Sequence, residues 1–285
     1  MIAYLIVNTF MNKDKFLNLY KLFEEAFSRR GVSLEIKRAE DLSLEVGDTD
    51  FKKPDFAIFY DKDTYLAERL ESLGVKLYNS ARAIALCDNK ILMYQELIKA
   101  GLRIPRTFIA PKTFEGLGYT SLSFLDKIEK EIGYPMVIKE AYGSFGEQVY
   151  LANSHKEAEE IISKIGYKDF LIQEFIASSK GRDVRLNVVG DKVIVSMLAE
   201  NKDDFRSNIS SGGAGSLYEP SEEFISLALK ATKALGLDFA GVDLLFDKND
   251  KPIICEVNSN PQFGSTLKAT GVNLAEMIAD YILKI

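Results

Sequence analysis

The chain has 285 residues, 47% of them hydrophobic, with a formal net charge of -6 and a pI near 5.2. That length suffices for a large core and two or three subdomains, and the acidic balance argues against nucleic acid as a partner, because binding a phosphate backbone needs a basic face. A single histidine, His155, and two cysteines without metal-ligand spacing, Cys87 and Cys255, argue against a histidine triad, a zinc site and a disulfide framework.

In chain order, residues 3–7 read as a buried strand. Residues 14–30 read as a helix with Phe16, Leu19, Tyr20, Phe23 and Phe27 on one face, closed by Gly31. Strands over 34–37, 56–60 and 75–78, with a helix over 63–73, complete an alternating pattern that predicts a small parallel-sheet domain over 1–83. Its first turn, residues 8–12, lacks the glycines of a dinucleotide site. The apolar opening is too short for a signal-peptide core and no apolar run approaches membrane-spanning length, so the chain reads as a soluble, cytoplasmic protein with no membrane partner.

Asp88 is placed to cap a helix over 89–100, with Ile91, Tyr94, Leu97 and Ile98 as its buried face. Lys90 falls in its first turn, where the helix dipole disfavours a cation, which suits either a ligand-facing or a surface lysine. After a helix over 122–132, the strand 134–139 ends in Lys139. The loop 143–149 follows, with two glycines and Ser144, a composition that lets backbone N–H groups approach an anion. Such a loop alone is a weak signal, which the strand-borne lysine strengthens.

Residues 170–176 form an apolar strand interrupted by Gln173 and Glu174. From 183 to 189 the chain alternates, with Val184, Leu186 and Val188 on one side and Asp183, Arg185 and Asn187 on the other. A turn at Gly190-Asp191 is expected to carry the apolar face on through Val193, Val195 and Met197, leaving Asn187 solvated. Residues 201–220 form a long polar loop holding Arg206-Ser207-Asn208, suited to binding phosphate. Ser221 is placed to cap a helix through Leu235, and Asn273 a closing helix with Leu274, Met277, Ile278, Tyr281 and Ile282 inward.

The most informative stretch is the hairpin 241–258. Glu256 and Asn258 interrupt an apolar strand at a spacing of two, so they share a face. Pairing Asp247 with Pro252 sets Asp243 opposite Glu256. Facing carboxylates repel unless a positive charge sits between them, and two carboxylates with an amide oxygen suit magnesium holding phosphates. A solvent-facing hairpin with ordinary surface acids would show the same residues.

The order Lys90, Lys139, glycine-bearing loop, Gln173-Glu174-Phe175, Asp183-x-Arg185, Asp204-Phe205-Arg206-Ser207-Asn208, Gly241-Val242-Asp243 and Glu256-Val257-Asn258-Ser259-Asn260-Pro261 resembles the ATP-grasp enzymes, and within them the RimK-like ligases. The resemblance is strong from about residue 85 to 273 and rests on strand and helix order before that. It implies an α/β and α+β architecture, an ATP-grasp fold with an N-terminal Rossmann-like, parallel-sheet domain (1–83) followed by two α+β subdomains, 84–172 and 173–285, that clamp ATP. By the same resemblance, Lys90 and Lys139 hold phosphates, Ser144 covers them, Gln173, Glu174, Phe175 and Ile176 line the adenine, and Asp183 meets the ribose. Asp243, Glu256 and Asn258 are the implied ligands of magnesium or manganese. Arg206 and Asn208, with Ser207 between them, stabilise the transferring phosphoryl group.

Two departures concern the substrate and not the metal set. Gln262-Phe263 stands where the family often has glycine after Asn-Pro, and Phe145-Gly146-Glu147-Gln148 where a further glycine is common. The resulting expectation is an ATP-dependent carboxylate-amine ligase acting through an acyl phosphate, with a glutamate-like amino acid and a peptide, carrier protein or metabolite as partners, and compatible with a homo-oligomer. A dipeptide ligase similar to the D-alanine ligases and a non-catalytic ATP-binding regulator are the alternatives.

Overall fold

The structure, a computed structural model, describes residues 1–42, 45–47, 50–207 and 212–285. The first unit contains β1 (Ile2–Val7), α1 (Asp14–Ser28), β2 (Ser33–Arg38), β3 (Phe56–Tyr60), α2 (Thr64–Ser72) and β4 (Leu77–Tyr78). Its strands are all parallel in the order β2-β1-β3-β4. Helices on both faces explain why β3 is buried along its whole length, as an unbroken apolar strand requires. The five apolar residues read from the spacing of α1 are all buried.

The chain then enters α3 (Ala81–Asp88), a helix the sequence reading did not anticipate, capped by the Ser80 hydroxyl. Asp88 is therefore the last residue of a helix and not a cap. The Asn89 side chain takes that role, accepting from the backbone N–H groups of Ile91 and Leu92 at the start of α4 (Lys90–Lys99). The buried face of α4 is Lys90, Met93, Tyr94 and Leu97, while Ile98 is exposed. The helix packs on α3 and α7, and that rotates its inner stripe away from Ile98.

A four-stranded antiparallel sheet follows, order β5-β8-β6-β7, from β5 (Thr107–Ile109), β6 (Met136–Glu140), β7 (Val149–Ala152) and β8 (Phe170–Glu174). It is backed by α5 (Ser123–Ile132) and by α6 (His155–Ile165), which was also not anticipated although Ser154 caps it through its hydroxyl.

The last sheet is five-stranded and antiparallel, order β11-β10-β9-β12-β13, built from β9 (Arg182–Val189), β10 (Lys192–Glu200), β11 (Ala214–Leu217), β12 (Phe239–Phe246) and β13 (Pro252–Asn258). Strand β11 lies within the segment read as loop and pairs with β10. Helix α7 (Glu222–Ala234) covers one face, burying Val184, Leu186, Val242 and Leu244; Ser221 precedes it without a side-chain cap bond.

Two bulges alter the expected registers. In β10 the pairing jumps between Val193 and Val195, so Val193 faces the α7 side opposite Val188, whereas Val195 and Met197 pair with Asn187 and Arg185 on the other face. The apolar face thus changes sides at Ile194 instead of running through all three residues. In the hairpin, Pro252 pairs with Phe246 and not with Asp247, and Cys255 is the extra residue between Leu244–Ile254 and Asp243–Glu256. The bulge restores the pairing of Asp243 with Glu256 that the sequence reading obtained from a different turn.

Helix α8 (Gly264–Thr270) and helix α9 (Leu274–Leu283) return the chain to the first unit. Asn273 caps α9, whose buried side is Leu274, Ala275, Ile278, Ala279 and Ile282, while Tyr281 is partly exposed. Arg30, just past the end of α1, bonds Glu276 and Asp280 at 2.6 Å each, and Phe263 packs edge-on against Phe23, centroids 5.7 Å apart. Phe263 is fully buried, so this departure from the family pattern is a core residue. Among the described residues, no helix is long and apolar enough to cross a membrane.

Asn79 ties the units together. Fully buried after β4, it donates through Nδ2 to the carbonyls of Phe239 (2.9 Å) and Ser259 (2.8 Å), and its Oδ1 accepts from Asp238 and Phe239 N–H groups at 2.6 and 3.3 Å. Truncation leaves several buried backbone groups without partners, so Asn79→Ala should cost roughly 3 kcal/mol, read as a lower urea midpoint at unchanged m-value; a midpoint equal to wild type would show that the bonds carry no net stability.

Candidate active site

On the face of the five-stranded sheet away from α7, strand register arranges charged side chains in a row. Arg185 of β9, Asp243 of β12 and Glu256 of β13 are successive cross-strand neighbours. The Arg185 guanidinium donates from Nε and Nη2 to the two Asp243 oxygens, both at 2.7 Å, a bidentate pair. Glu256 is met by Lys90, whose Nζ lies 3.4 Å from Oε1. Burial alone would raise the Glu256 pKa, but the charges of Lys90, Lys139, Lys62 and Arg185 together hold it below the usual carboxylate value. Asp183, two residues before Arg185, accepts a hydrogen bond from the Ser207 hydroxyl. Burial, then the Asp243 charge, pushes its pKa well above the ordinary range.

The four-stranded sheet forms the opposite wall. Lys139 of β6 is buried beside the Tyr94 hydroxyl (3.3 Å) and the Cys255 sulfur (4.0 Å). Burial pulls its pKa down, and the neighbouring Cys255, Tyr94 and Glu256 more than reverse this, so the ammonium stays charged. Gln173 is spent inward, donating to Thr107 Oγ1 at 2.7 Å, and Glu174 accepts from the Arg106 N–H at 2.8 Å. Phe175, Ile176, Val137 and Leu245 supply the apolar end of the cavity between the sheets; Lys139, Asp183, Asp243, Arg206 and Glu256 supply its polar end.

The glycine-bearing loop closes this cavity from above. Its Gly143 carbonyl accepts from Lys90 at 3.1 Å, and the Gly146 carbonyl accepts from Arg206 Nη1 at 2.6 Å. Arg206 is otherwise held by Asp204, Nη2 to Oδ2 at 2.7 Å. A Cβ on Gly143, where φ is +156°, would lie 2.4 Å from Gln148 Oε1, so only glycine allows the loop to fold back on Gln148.

The structure therefore gathers Lys139, Gln173, Glu174, Phe175, Ile176, Asp183, Arg206, Ser207, Asp243 and Glu256 around one cavity. Lys90 reaches it through Glu256, Asn258 through Asp243, and Ser144 through the covering loop. Asn208 lies outside the described residues. Asn187, expected to be solvated, is buried and donates to Thr266 Oγ1 at 3.5 Å, because α8 covers that end of the sheet. Residues the sequence reading did not assign to the site are Arg185, Tyr94, Phe205 and Lys62. The alternation of β9 was a usable signal for Arg185. Lys62, just past the carboxyl end of a parallel strand, stands where open α/β sheets bind ligands.

The donor chemistry fits a hard divalent cation. Asp183, Asp243 and Glu256 bring three carboxylates into one cleft; arginine pairs with Asp243 and lysines with Glu256, while Asp183 is left with its pKa raised. Asn258 turns its amide nitrogen towards Asp243, 3.1 Å from Oδ2; serving as an oxygen ligand would require the two ends of the amide to exchange.

A RimK-like ATP-grasp domain model matches residues 87–282. The chain is 32% identical over 271 residues to the MG012 homolog of Mycoplasma pneumoniae, covering 93% of each protein. It is 37% identical to a probable alpha-L-glutamate ligase of Vibrio parahaemolyticus over 78% of this chain and 71% of that one. A RimK domain protein from Sphaerobacter thermophilus has the same fold, with a TM-score of 0.76, 22% identity and 99% of both chains covered. The family match and the relatives it agrees with define an ATP-grasp enzyme of the C–N ligase class. Within that class, the chain belongs to the RimK-like family.

Arg185→Met leaves Asp243 without its guanidinium and should destabilise the ligand-free protein by about 3 kcal/mol. Adding Asp243→Asn to that variant should recover part of the loss, because it removes the orphaned charge. Urea unfolding of the two variants checks this, and a double variant weaker than the single would contradict the charge argument.

Proposed function

We propose that the protein joins a carboxylate to an amine at the expense of ATP, with a glutamate-like amino acid as one substrate and a peptide, carrier protein or metabolite as the other. The observation that supports this best is one cleft in which Asp243 and Glu256 face Lys90, Lys139 and Arg206 beneath a glycine-bearing loop. In this reading the three units are 1–83, 84–172 and 173–285, and the last two clamp the nucleotide.

Phe175 and Ile176 flank the adenine, with Gln173 and Glu174 behind them, and Asp183 meets the ribose. Lys139 and Lys90 hold the inner phosphates under Ser144. Magnesium, held by Asp243, Glu256 and Asn258, neutralises charge on the phosphate oxygens when bound. Arg206 leaves Asp204 for the terminal phosphate, with Ser207 and Asn208 beside it, where charge develops during transfer. A substrate carboxylate oxygen attacks the terminal phosphorus as the bond to ADP breaks. The amine then attacks the acyl carbon and phosphate departs. The chain's work is chiefly positioning and charge compensation.

Two experiments test this. With true substrates the enzyme should release ADP and inorganic phosphate, and oxygen-18 from labelled carboxylate should appear in that phosphate; AMP and pyrophosphate would overturn the assignment. Glu256→Gln keeps the shape of the side chain but takes the carboxylate from Lys90, so the fold should persist with some loss of stability while the rate falls by about two orders of magnitude or more. Near wild-type turnover at ordinary magnesium would remove Glu256 from the metal set.

A further inference from the structure

The tip of the covering loop is held from outside the cleft. Lys62, two residues beyond β3, places its ammonium 3.0 Å from Ser144 Oγ and 2.6 Å from Asp88 Oδ1 at the end of α3. Next to Ser144, Phe145 adopts a left-handed backbone, φ +59°, uncommon for a bulky side chain. Its ring meets α1: the Phe16 centroid is 6.4 Å away, and Lys15 Nζ lies 4.6 Å from the Phe145 centroid and 4.8 Å from that of Phe16. Both anchors belong to the parallel-sheet unit, not to the two antiparallel sheets that form the cavity.

The anchor is rigid at its base. The Tyr60 hydroxyl donates to the Pro261 carbonyl, and Asn260 Nδ2 donates to the Asp61 carbonyl at 2.7 Å. Three consecutive residues at the end of β3 thus engage the turn after β13 and the loop after β6. Asp88 holds the Lys62 ammonium within reach of Ser144.

We propose that Lys62, with the Lys15–Phe16 pair, forms a latch by which the parallel-sheet unit holds the covering loop shut, making these positioning residues of the ligase site. The proposal rests on the reading that this loop covers ATP.

Two backbone amides report the latch directly, because Ser144 N–H bonds Gln148 Oε1 at 3.1 Å and Glu147 N–H bonds the Ser144 carbonyl at 3.3 Å. In ligand-free protein, Lys62→Ala and Phe145→Asn should each raise hydrogen exchange in segment 143–148 about tenfold, the effect of losing one charge-assisted or stacked contact. Asparagine tolerates the left-handed backbone, so the second variant removes only the ring. Both residues are substantially exposed, and unchanged thermal midpoints would confirm intact folds. Each variant should also weaken binding of magnesium–AMPPNP about tenfold, with Lys62→Arg restoring most of it. Wild-type exchange in both variants overturns the latch, as does faster exchange with undiminished nucleotide affinity. Failure of the wild-type chain to bind AMPPNP would count against the ligase reading, whereas wild-type exchange in both variants would overturn the latch whether or not nucleotide binds.

Discussion

Asp243 and Glu256 stand opposite each other across a hairpin, with Asp183 close by, and three carboxylates in one partly buried cleft repel unless cations reach them. Much of the molecule can be understood as delivering those cations. Arg185 comes from the neighbouring strand, Lys90 from the start of α4, and Lys139 from the facing sheet. The Lys90 misfit with its helix dipole is resolved by Glu256, a partner more than 150 residues away. Protein cations thus offset Asp243 and Glu256, and the proposed entry of ATP and magnesium would exchange one set of partners for another. Arg206 is held in the same way: Asp204 and the Gly146 carbonyl engage its guanidinium.

The parallel sheet serves as a frame for this arrangement. Its carboxyl edge touches the turn after β13 through Tyr60 and Asp61, and Asn79 satisfies four backbone groups at the start of β12 and beyond β13. Helix α9 closes the frame by packing on α1, with Arg30 paired to Glu276 and Asp280. A single apolar core accordingly runs from α1 through β1 and β3 to Phe239, Phe263 and α9. The loop that covers the cavity meets this frame at Ser144, and the proposed Lys62 latch gives that contact a role.

The bulges show how local irregularity sets the chemistry. An extra residue at Cys255 returns Glu256 to the row of Asp243 after the turn has offset the strands by one. The bulge in β10 turns Val195 into the core shared with α9, which lets one strand serve two cores on opposite faces.

What the sequence determined by itself is local and periodic. The face of α1, the alternation of β9 and the two-residue spacing of Glu256 and Asn258 were legible because a repeat of 3.6 or 2 states which side chains share a face. The order of motifs along the chain also identified the fold and the ligase class. Which faces are covered, and by what, was decided only in three dimensions. Asn187 looked solvated because nothing near it in sequence covers it, yet α8, nearly eighty residues on, buries it. Ile98 looked buried because its spacing is right, but α3 and α7 pack on the adjacent stripe. Lys62 carries no periodic signal at all; its place beside Ser144 follows from folding the parallel sheet against a loop 82 residues away. Periodicity is a property of neighbouring residues, whereas burial and charge pairing at this site depend on segments that only the tertiary fold brings together.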